Sequence, residues 1–184
     1  MKLNNAQRLH LGQYPRHRLA CAAGIGLVAL AITTVAVAGG QSPMTAKLFP
    51  GLAFEAGEMP GAVVDADLND DGMPDLAIAN SAGDDVSVLF NQGDGTFSAQ
   101  TAYFVGQKPE SLVACDLNND ENIDLAVANV ESGDVPVLMN NGNGFFGLQK
   151  QYAAGPEPEA IASSDFDNDG DSDLIVVNSA PGVV

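Results

Sequence analysis

One stretch of this sequence reads Asp165-Phe166-Asp167-Asn168-Asp169-Gly170-Asp171-Ser172-Asp173 and has a carboxylate at every second residue. The apolar run Leu174-Ile175-Val176-Val177 follows it directly. Glycine at the sixth position permits a sharp backbone turn. The apolar run that follows is rich in β-branched residues, which favour strands. The stretch therefore predicts an acidic loop that leads into a buried β-strand.

The same stretch occurs twice more, at a period of 49 residues without a gap. We call residues 67–75, 116–124 and 165–173 the first, second and third loops. Side-chain oxygens fill positions 1, 3, 5 and 9 of each loop, from Asp67, Asn69, Asp71 and Asp75, from Asp116, Asn118, Asp120 and Asp124, and from Asp165, Asp167, Asp169 and Asp173. A single copy would fit a solvated turn, because Asp and Asn favour turns. Three copies in register favour a shared chemical role instead.

Alternating oxygen ligands around a turn are typical of calcium. Ca²⁺ takes about six to eight oxygen ligands at roughly 2.3–2.6 Å, and a backbone carbonyl near position 7 joins the side chains. The position-7 residues here are Met73, Asn122 and Asp171. Magnesium prefers to keep its waters and zinc prefers His and Cys, so both fit less well. The loops are not EF-hands, because an EF-hand requires Glu at position 12. These loops have Ile78, Val127 and Val176 there.

The three loops are not equivalent, and we expect them to bind calcium unequally. Glu121 stands at the turn of the second loop, where the other two have Gly72 and Gly170. If this turn needs a positive φ, a non-glycine residue costs roughly 1–2 kcal/mol. The third loop has Asp167 where the others have asparagine. We therefore expect the third loop to bind at least as tightly as the first, and the second loop to bind most weakly.

Charge is distributed unevenly along the 184 residues, whose formal net charge is −17. Four of the seven basic residues lie in the first 18 residues, and all 24 acidic residues come later, from Glu55 onward. The part after residue 38 has neither Arg nor His. An acidic domain of this kind is not expected to bind nucleic acid or an anionic membrane surface. It is expected to bind cations that relieve its self-repulsion.

Residues 1–38 predict a targeting segment with an apolar signal helix. A basic region ends at Arg18, an apolar run extends from Leu19 to Ala38, and Ala36-Val37-Ala38 fits the small-residue cleavage rule. The run is also long enough to span a bilayer, so an uncleaved anchor is the alternative. Either outcome predicts a secreted or cell-surface protein, which contacts the membrane only through this segment and only if the segment is uncleaved. Removal of the segment leaves one cysteine, Cys115, which we expect to be a buried structural thiol.

Residues 39–52 are expected to be a linker, and residues 53–184 form the repeats 53–101, 102–150 and 151–184, the last of them truncated. Each complete copy is expected to contain four short strands. In the first copy these are Ala62–Val64, Asp75–Asn80, Val86–Phe90 and a strand from Thr96 to about Phe104, with a glycine turn at 91–95. Pro136 replaces Ser87 in the second copy and predicts a bulge or lost pairing there. Four strands at this period are typical of a β-propeller blade.

The run DLNDDGMPDLAIAN at 67–80 and the run VSVLFNQGDGTF at 86–97 resemble the FG-GAP/VCBS-type repeats of bacterial secreted proteins. Those repeats are similar to the calcium-binding blades of integrin α-subunit propellers. The resemblance implies an all-β fold with propeller blades of four antiparallel strands, of which about two and two-thirds are present. It also implies calcium between the first and second strands of each blade. Glu121 departs from the family pattern, which has glycine there.

The resemblance implies a non-catalytic module for adhesion or interaction with an extracellular protein or glycan. The alternative is the propeller portion of an extracellular polysaccharide-degrading enzyme. Paired carboxylates do serve glycosidases, but the dense carboxylates here recur every 49 residues, whereas catalytic groups are usually unique. Closed propellers have about four to eight blades, so we also expect this chain to be part of a larger propeller.

Overall fold

The computed structural model describes residues 53–180, which consist of β-strands and turns without a helix. The ten strands are β1 Pro60–Ala66, β2 Asp75–Asn80, β3 Asp85–Leu89, β4 Thr101–Phe104, β5 Pro109–Cys115, β6 Asp124–Asn129, β7 Asp134–Asn140, β8 Phe146–Ala153, β9 Pro158–Ser164 and β10 Asp173–Asn178. Within this part of the chain, nothing helical could cross a membrane. The expected signal helix and the expected linker lie outside the described residues.

The strands form three antiparallel sheets, which we call blades 1, 2 and 3, and the fourth strand of blades 1 and 2 extends past the end of its 49-residue repeat. Blade 1 has the order β1-β2-β3-β4, blade 2 has the order β5-β6-β7-β8, and blade 3 contains β9 and β10. The expectation of an all-β fold with four-stranded blades is therefore confirmed for the first two repeats. β1 lies next to β5, and β5 lies next to β9, so successive blades stack with their first strands adjacent. This is the arrangement of a β-propeller-type repeat module.

Each loop is closed by the pairing of the first two strands of its blade. Ala66 pairs with Asp75 in blade 1, Cys115 with Asp124 in blade 2, and Ser164 with Asp173 in blade 3. The last residue of the first strand thus always faces position 9 of the loop. Because this register is the same in all three blades, strand pairing holds the ends of the three acidic loops in equivalent positions.

The hydrophobic core lies between the blades, and blade 2 is buried on both faces. Leu125 and Val127 of β6 belong to the cluster shared with blade 1. Ala126 and Ala128, on the opposite face of the same strand, belong to the cluster shared with blade 3. Successive side chains of a strand point to opposite faces, so a strand covered on both sides reads as a continuous apolar run. Cys115 is fully buried in the second cluster, in keeping with a structural thiol.

The predicted start of the fourth strand of blade 1 is wrong. β4 begins at Thr101 rather than Thr96, and Phe97 forms only an isolated bridge with Asn91. The Phe90 N–H donates to the Ser98 hydroxyl at 3.0 Å. A side chain, and not a backbone carbonyl of the opposite strand, therefore accepts this backbone N–H. The fourth strand of blade 2 does begin directly after its glycine turn, at Phe146. The third strand of blade 1 begins and ends one residue earlier than expected.

Pro136 interrupts strand pairing as predicted. In blade 1, β2 and β3 pair without a break through Ser87. In blade 2, β6 and β7 pair at Leu125–Leu138 and Ala126–Val137 and resume only at Asn129–Asp134. Proline has no N–H to donate to the ladder, which explains the gap around it.

Candidate metal centres

Each loop is wound around the carboxylate at position 1. In the first loop, Asp67 Oδ1 accepts the N–H of Asp71 at 3.1 Å, and its Oδ2 accepts the N–H of Gly72 at 2.8 Å. Asp116 and Asp165 make the same pair of bonds in their own loops. A carboxylate that accepts two backbone donors fixes the curvature of the chain around itself. The same spacing along the sequence therefore accompanies the same turn in all three loops.

Two backbone positions of each loop are left-handed. Position 4 has φ near 60° at Asp70, Asn119 and Asn168. Position 6 has φ of 82° at Gly72, 71° at Glu121 and 98° at Gly170. Asp and Asn tolerate this region better than other residues with a Cβ, which suits them to position 4. The positive φ on which the expectation for Glu121 depends is present, so the second loop carries backbone strain that the other two avoid.

The loops differ most at position 3. Asn69 donates from Nδ2 to Asp71 Oδ2 at 3.0 Å, and Asn118 donates in the same way to Asp120 Oδ2 at 2.9 Å. An aspartate at this position, Asp167, has no amide and cannot donate. In the first two loops a neutral amide therefore donates to the position-5 carboxylate, whereas the third loop has acidic residues, Asp167 and Asp169, at both positions 3 and 5.

The third loop brings three carboxylates together. Oxygens of Asp165, Asp167 and Asp173 all lie within 4.8 Å of one another, and among the described residues this is the one acidic group so closely spaced. Like charges at such separations repel one another unless a cation or a proton offsets them. The donor set, made entirely of oxygen, fits a hard cation such as Ca²⁺.

The position-9 aspartates are buried beneath the loops, with exposed fractions of 0%, 0% and 1% for Asp75, Asp124 and Asp173. Asp124 accepts the N–H of Leu117 at 3.1 Å on Oδ2 and the N–H of Asn140 at 2.8 Å on Oδ1. Asp75 is held in the same way by Leu68 and Asn91. Each oxygen has a second lone pair, so these bonds leave the carboxylates able to ligate a metal.

Burial also changes the acidity of two of these groups. Removal from water raises the pKa of Asp124 to about 7, because the backbone N–H groups of Asn140 and Leu117 only partly compensate, and the nearby charges of Asp120 and Asp116 act in the same direction as burial. Burial likewise raises the pKa of Asp75. Both carboxyls therefore hold a proton more readily than an exposed aspartate, and a bound cation would oppose this.

The position-7 residues are held by their backbone, while their side chains lie in different surroundings. The N–H of Met73, Asn122 or Asp171 donates to the position-5 carboxylate of its own loop at 2.8–3.0 Å. The side chain of Asp171, only 4% exposed, accepts a 2.7 Å hydrogen bond from Asn119 of the second loop. The Asp171 carboxylate therefore contacts the neighbouring loop.

The loops and their strands match the model of the FG-GAP-like repeat twice, over residues 67–127 and 116–176. The chain belongs to the FG-GAP-like repeat family. Each match runs from position 1 of one loop to the strand that follows the next loop, so the family pattern coincides with the acidic loops and their β-strands. A search of curated proteins gives no match. The resemblance seen in the sequence is thereby confirmed for the FG-GAP repeats, while similarity to integrin propellers stays a prediction.

The sequence pattern alone assigns no role to two asparagines of these FG-GAP repeats. Asn91 and Asn140 are the first residues of the glycine turns of blades 1 and 2, and their N–H groups donate to Asp75 and Asp124 at 2.7 and 2.8 Å. Their occurrence at the same position of both repeats was the available signal. The first and second loops thus depend on a residue 16 positions beyond their position-9 aspartate, a dependence that local spacing does not reveal.

Proposed function

We propose that this protein is an exported calcium-binding β-propeller module that serves adhesion or interaction with an extracellular protein or glycan, without catalysis. The observation that carries the calcium assignment is the close grouping of Asp165, Asp167 and Asp173 in the third loop. The turn around the position-1 carboxylate recurs in all three FG-GAP repeats. A divalent cation is the group that best offsets three carboxylates in so small a volume.

The side chains at positions 1, 3, 5 and 9 and the carbonyl at position 7 would hold the ion in each loop. Calcium would supply the positive charge that neutralises these oxygens. It would also tie the loop to β2, β6 or β10, since position 9 is the first residue of each of these strands. Binding to the folded chain alone raises stability by linkage, and exported proteins meet calcium concentrations at which even weak sites fill.

Three features support the remainder of the proposal. The basic region, apolar run and small-residue site within residues 1–38 support export. The recurrence of the carboxylates at a fixed period, together with the lack of His and Arg after residue 38, supports a non-catalytic role. Membership of the FG-GAP-like repeat family supports an interaction module.

Thermal unfolding and calorimetric titration with CaCl₂ test the calcium assignment. We expect Ca²⁺ to raise the unfolding temperature far more than Mg²⁺ does at the same concentration. Asp169→Ala should abolish binding in the third loop, whereas Asp65→Ala removes an equal charge from the exposed face of β1 and should leave binding intact. Calcium-independent unfolding of the parent chain would refute the assignment.

The interaction role has a separate test. The purified chain is immobilised and probed with extracellular glycans and proteins, in CaCl₂ and again in a chelator. Calcium-dependent retention of a partner, with no change in it, is the expected result. Release of new reducing ends from a retained polysaccharide would instead favour a polysaccharide-degrading enzyme.

A further inference from the structure

Asn140 contacts two blades at once. Its Nδ2 donates to the carbonyl of Leu68 in the first loop at 2.8 Å and to the carbonyl of Ile123 in the second loop at 3.1 Å. Its N–H donates to Asp124 Oδ1 at 2.8 Å, and its Oδ1 accepts the N–H of Gly142 at 3.0 Å. The side chain is 4% exposed. Asn140 therefore lies at the boundary of blades 1 and 2, and these side-chain bonds are directed at loop and turn residues.

These bonds form an unbroken path between the first and second loops. The N–H of Leu68 donates to Asp75 Oδ2 at 3.0 Å, the carbonyl of Leu68 accepts from Asn140, and the N–H of Asn140 reaches Asp124. Asp75 and Asp124 occupy position 9 of the two loops. The four residues of the path are between 0% and 4% exposed. Water therefore has little access to the path, and a hydrogen bond of this kind is stronger in such surroundings than in water.

We propose that Asn140 is a positioning residue that couples calcium binding in the first loop to calcium binding in the second. This inference rests on the proposed function. An ion held by Asp75 fixes the peptide of Leu68, whose carbonyl then fixes Asn140, whose N–H orients Asp124 for the second ion. Binding of the first ion thus orders part of the second loop, so binding of the second ion costs less conformational entropy. Coupling of this kind is reciprocal, so the second ion assists the first equally.

Asn91 provides a matched control within the same chain. Its N–H donates to Asp75 Oδ1 at 2.7 Å, its Nδ2 donates to the carbonyl of Pro74 at 3.0 Å, and its Oδ1 accepts from Gly93 at 2.9 Å. These are the bonds that Asn140 makes within blade 2. The bond from Asn140 to Leu68 is the additional one. A comparison of Asn140→Ala with Asn91→Ala therefore isolates the contact between blades.

The experiment follows each loop separately by NMR during titration with CaCl₂. The amides of Gly72 and Glu121 report on the first and second loops, because their N–H groups donate to Asp67 and Asp116. Asp71→Ala removes a proposed ligand and should prevent calcium from binding in the first loop, while Asn140 itself is unchanged. We expect this change to raise the calcium midpoint of the second loop roughly two- to tenfold, the range that corresponds to one hydrogen bond.

The coupling, and not merely the affinity, identifies a positioning role. In the Asn140→Ala background, Asp71→Ala should leave the midpoint of the second loop unchanged, while in the Asn91→Ala background it should still raise it. A purely structural Asn140 would lower affinity without altering the effect of Asp71→Ala. That result, or an unchanged second loop in Asp71→Ala alone, would overturn the inference and leave the proposed function intact.

A second measurement does not depend on the stability of the Asn140 variant. In Asp120→Ala, calcium cannot fill the second loop, yet the Asn140 side-chain NH₂ signals should shift with the midpoint of the Gly72 amide. Static NH₂ signals would contradict the coupling. A chain in which no loop responds to calcium would overturn the proposed function, and the coupling with it.

Discussion

Asn119 of the second loop donates a 2.7 Å hydrogen bond to the buried carboxylate of Asp171 in the third loop. Loss of a donor to a buried acceptor costs about 1–3 kcal/mol. We therefore expect Asn119→Ala to lower the free energy of unfolding by that amount in a chelator, measured by urea denaturation. Asn168→Ala is the control, since Asn168 holds the same position of the third loop with φ of 60°. Equal losses in the two variants would assign the effect to the backbone conformation instead.

Glu121→Gly should tighten calcium binding in the second loop by about tenfold, because it relieves roughly 1–2 kcal/mol of left-handed strain. A Cβ at the corresponding Gly72 or Gly170 would meet open space, so conformation and not crowding is the cost. Calorimetric titration of the variant measures the gain. Glu121→Ala removes the charge and keeps the strain, so it should gain little. A similar gain in both variants would attribute the effect to charge.

Spacing alone predicted the features that depend on neighbours in the sequence. The turn around Asp67 and the strand that begins at Asp75 follow from a nine-residue pattern, and the positive φ at Glu121 meets the condition on which the expected strain of the second loop depends. Pro136 interrupts the ladder for an equally local reason, its missing N–H. Each of these features is determined by residue type at a fixed offset, which a repeated sequence displays directly.

The features that sequence reasoning missed depend on tertiary packing or on individual side chains. The bond from Asn140 to Leu68 spans 72 residues and exists because blade 2 stacks on blade 1. The late start of β4 accompanies the bond from the Phe90 N–H to the Ser98 hydroxyl, which no pattern specifies. The spacing predicts that position 9 is a ligand, but its burial under two backbone donors follows only from the folding of the glycine turn back over the loop.

The raised pKa of Asp124, about 7, predicts a pH dependence of the calcium-free protein. An unfolded aspartate titrates near 4, so between about pH 4 and 7 the folded chain retains a proton that the unfolded chain has lost. Stability from this group is therefore greatest at low pH and falls as the pH rises through that window. Urea denaturation in a chelator at several pH values measures the slope. Asp124→Asn should flatten it, and an unchanged slope would exclude Asp124 as its source.

Exchange of the position-3 residues should interchange calcium dependence between loops. Asn69→Asp removes the 3.0 Å amide bond to Asp71 and adds a charge beside it, so it should destabilise the first loop in a chelator. With calcium, the added carboxylate becomes a ligand and should tighten binding. The gap in unfolding temperature between CaCl₂ and chelator should therefore widen in Asn69→Asp. It should narrow in Asp167→Asn, which lowers the charge of the third loop.

Asn118→Asp extends the same comparison to the loop with the strained turn. The substitution removes the corresponding 2.9 Å amide bond to Asp120, while Glu121 keeps its positive φ. We expect the difference in unfolding temperature between CaCl₂ and chelator to be wider in Asn118→Asp than in the parent chain. Calcium should nevertheless bind the second loop of Asn118→Asp more weakly than the first loop of Asn69→Asp, since about 1–2 kcal/mol of strain persists. Adding Glu121→Gly should bring the two loops to similar affinity. If Asn69→Asp and Asn118→Asp narrow the gap instead, repulsion outweighs ligation and these positions do not contact the ion.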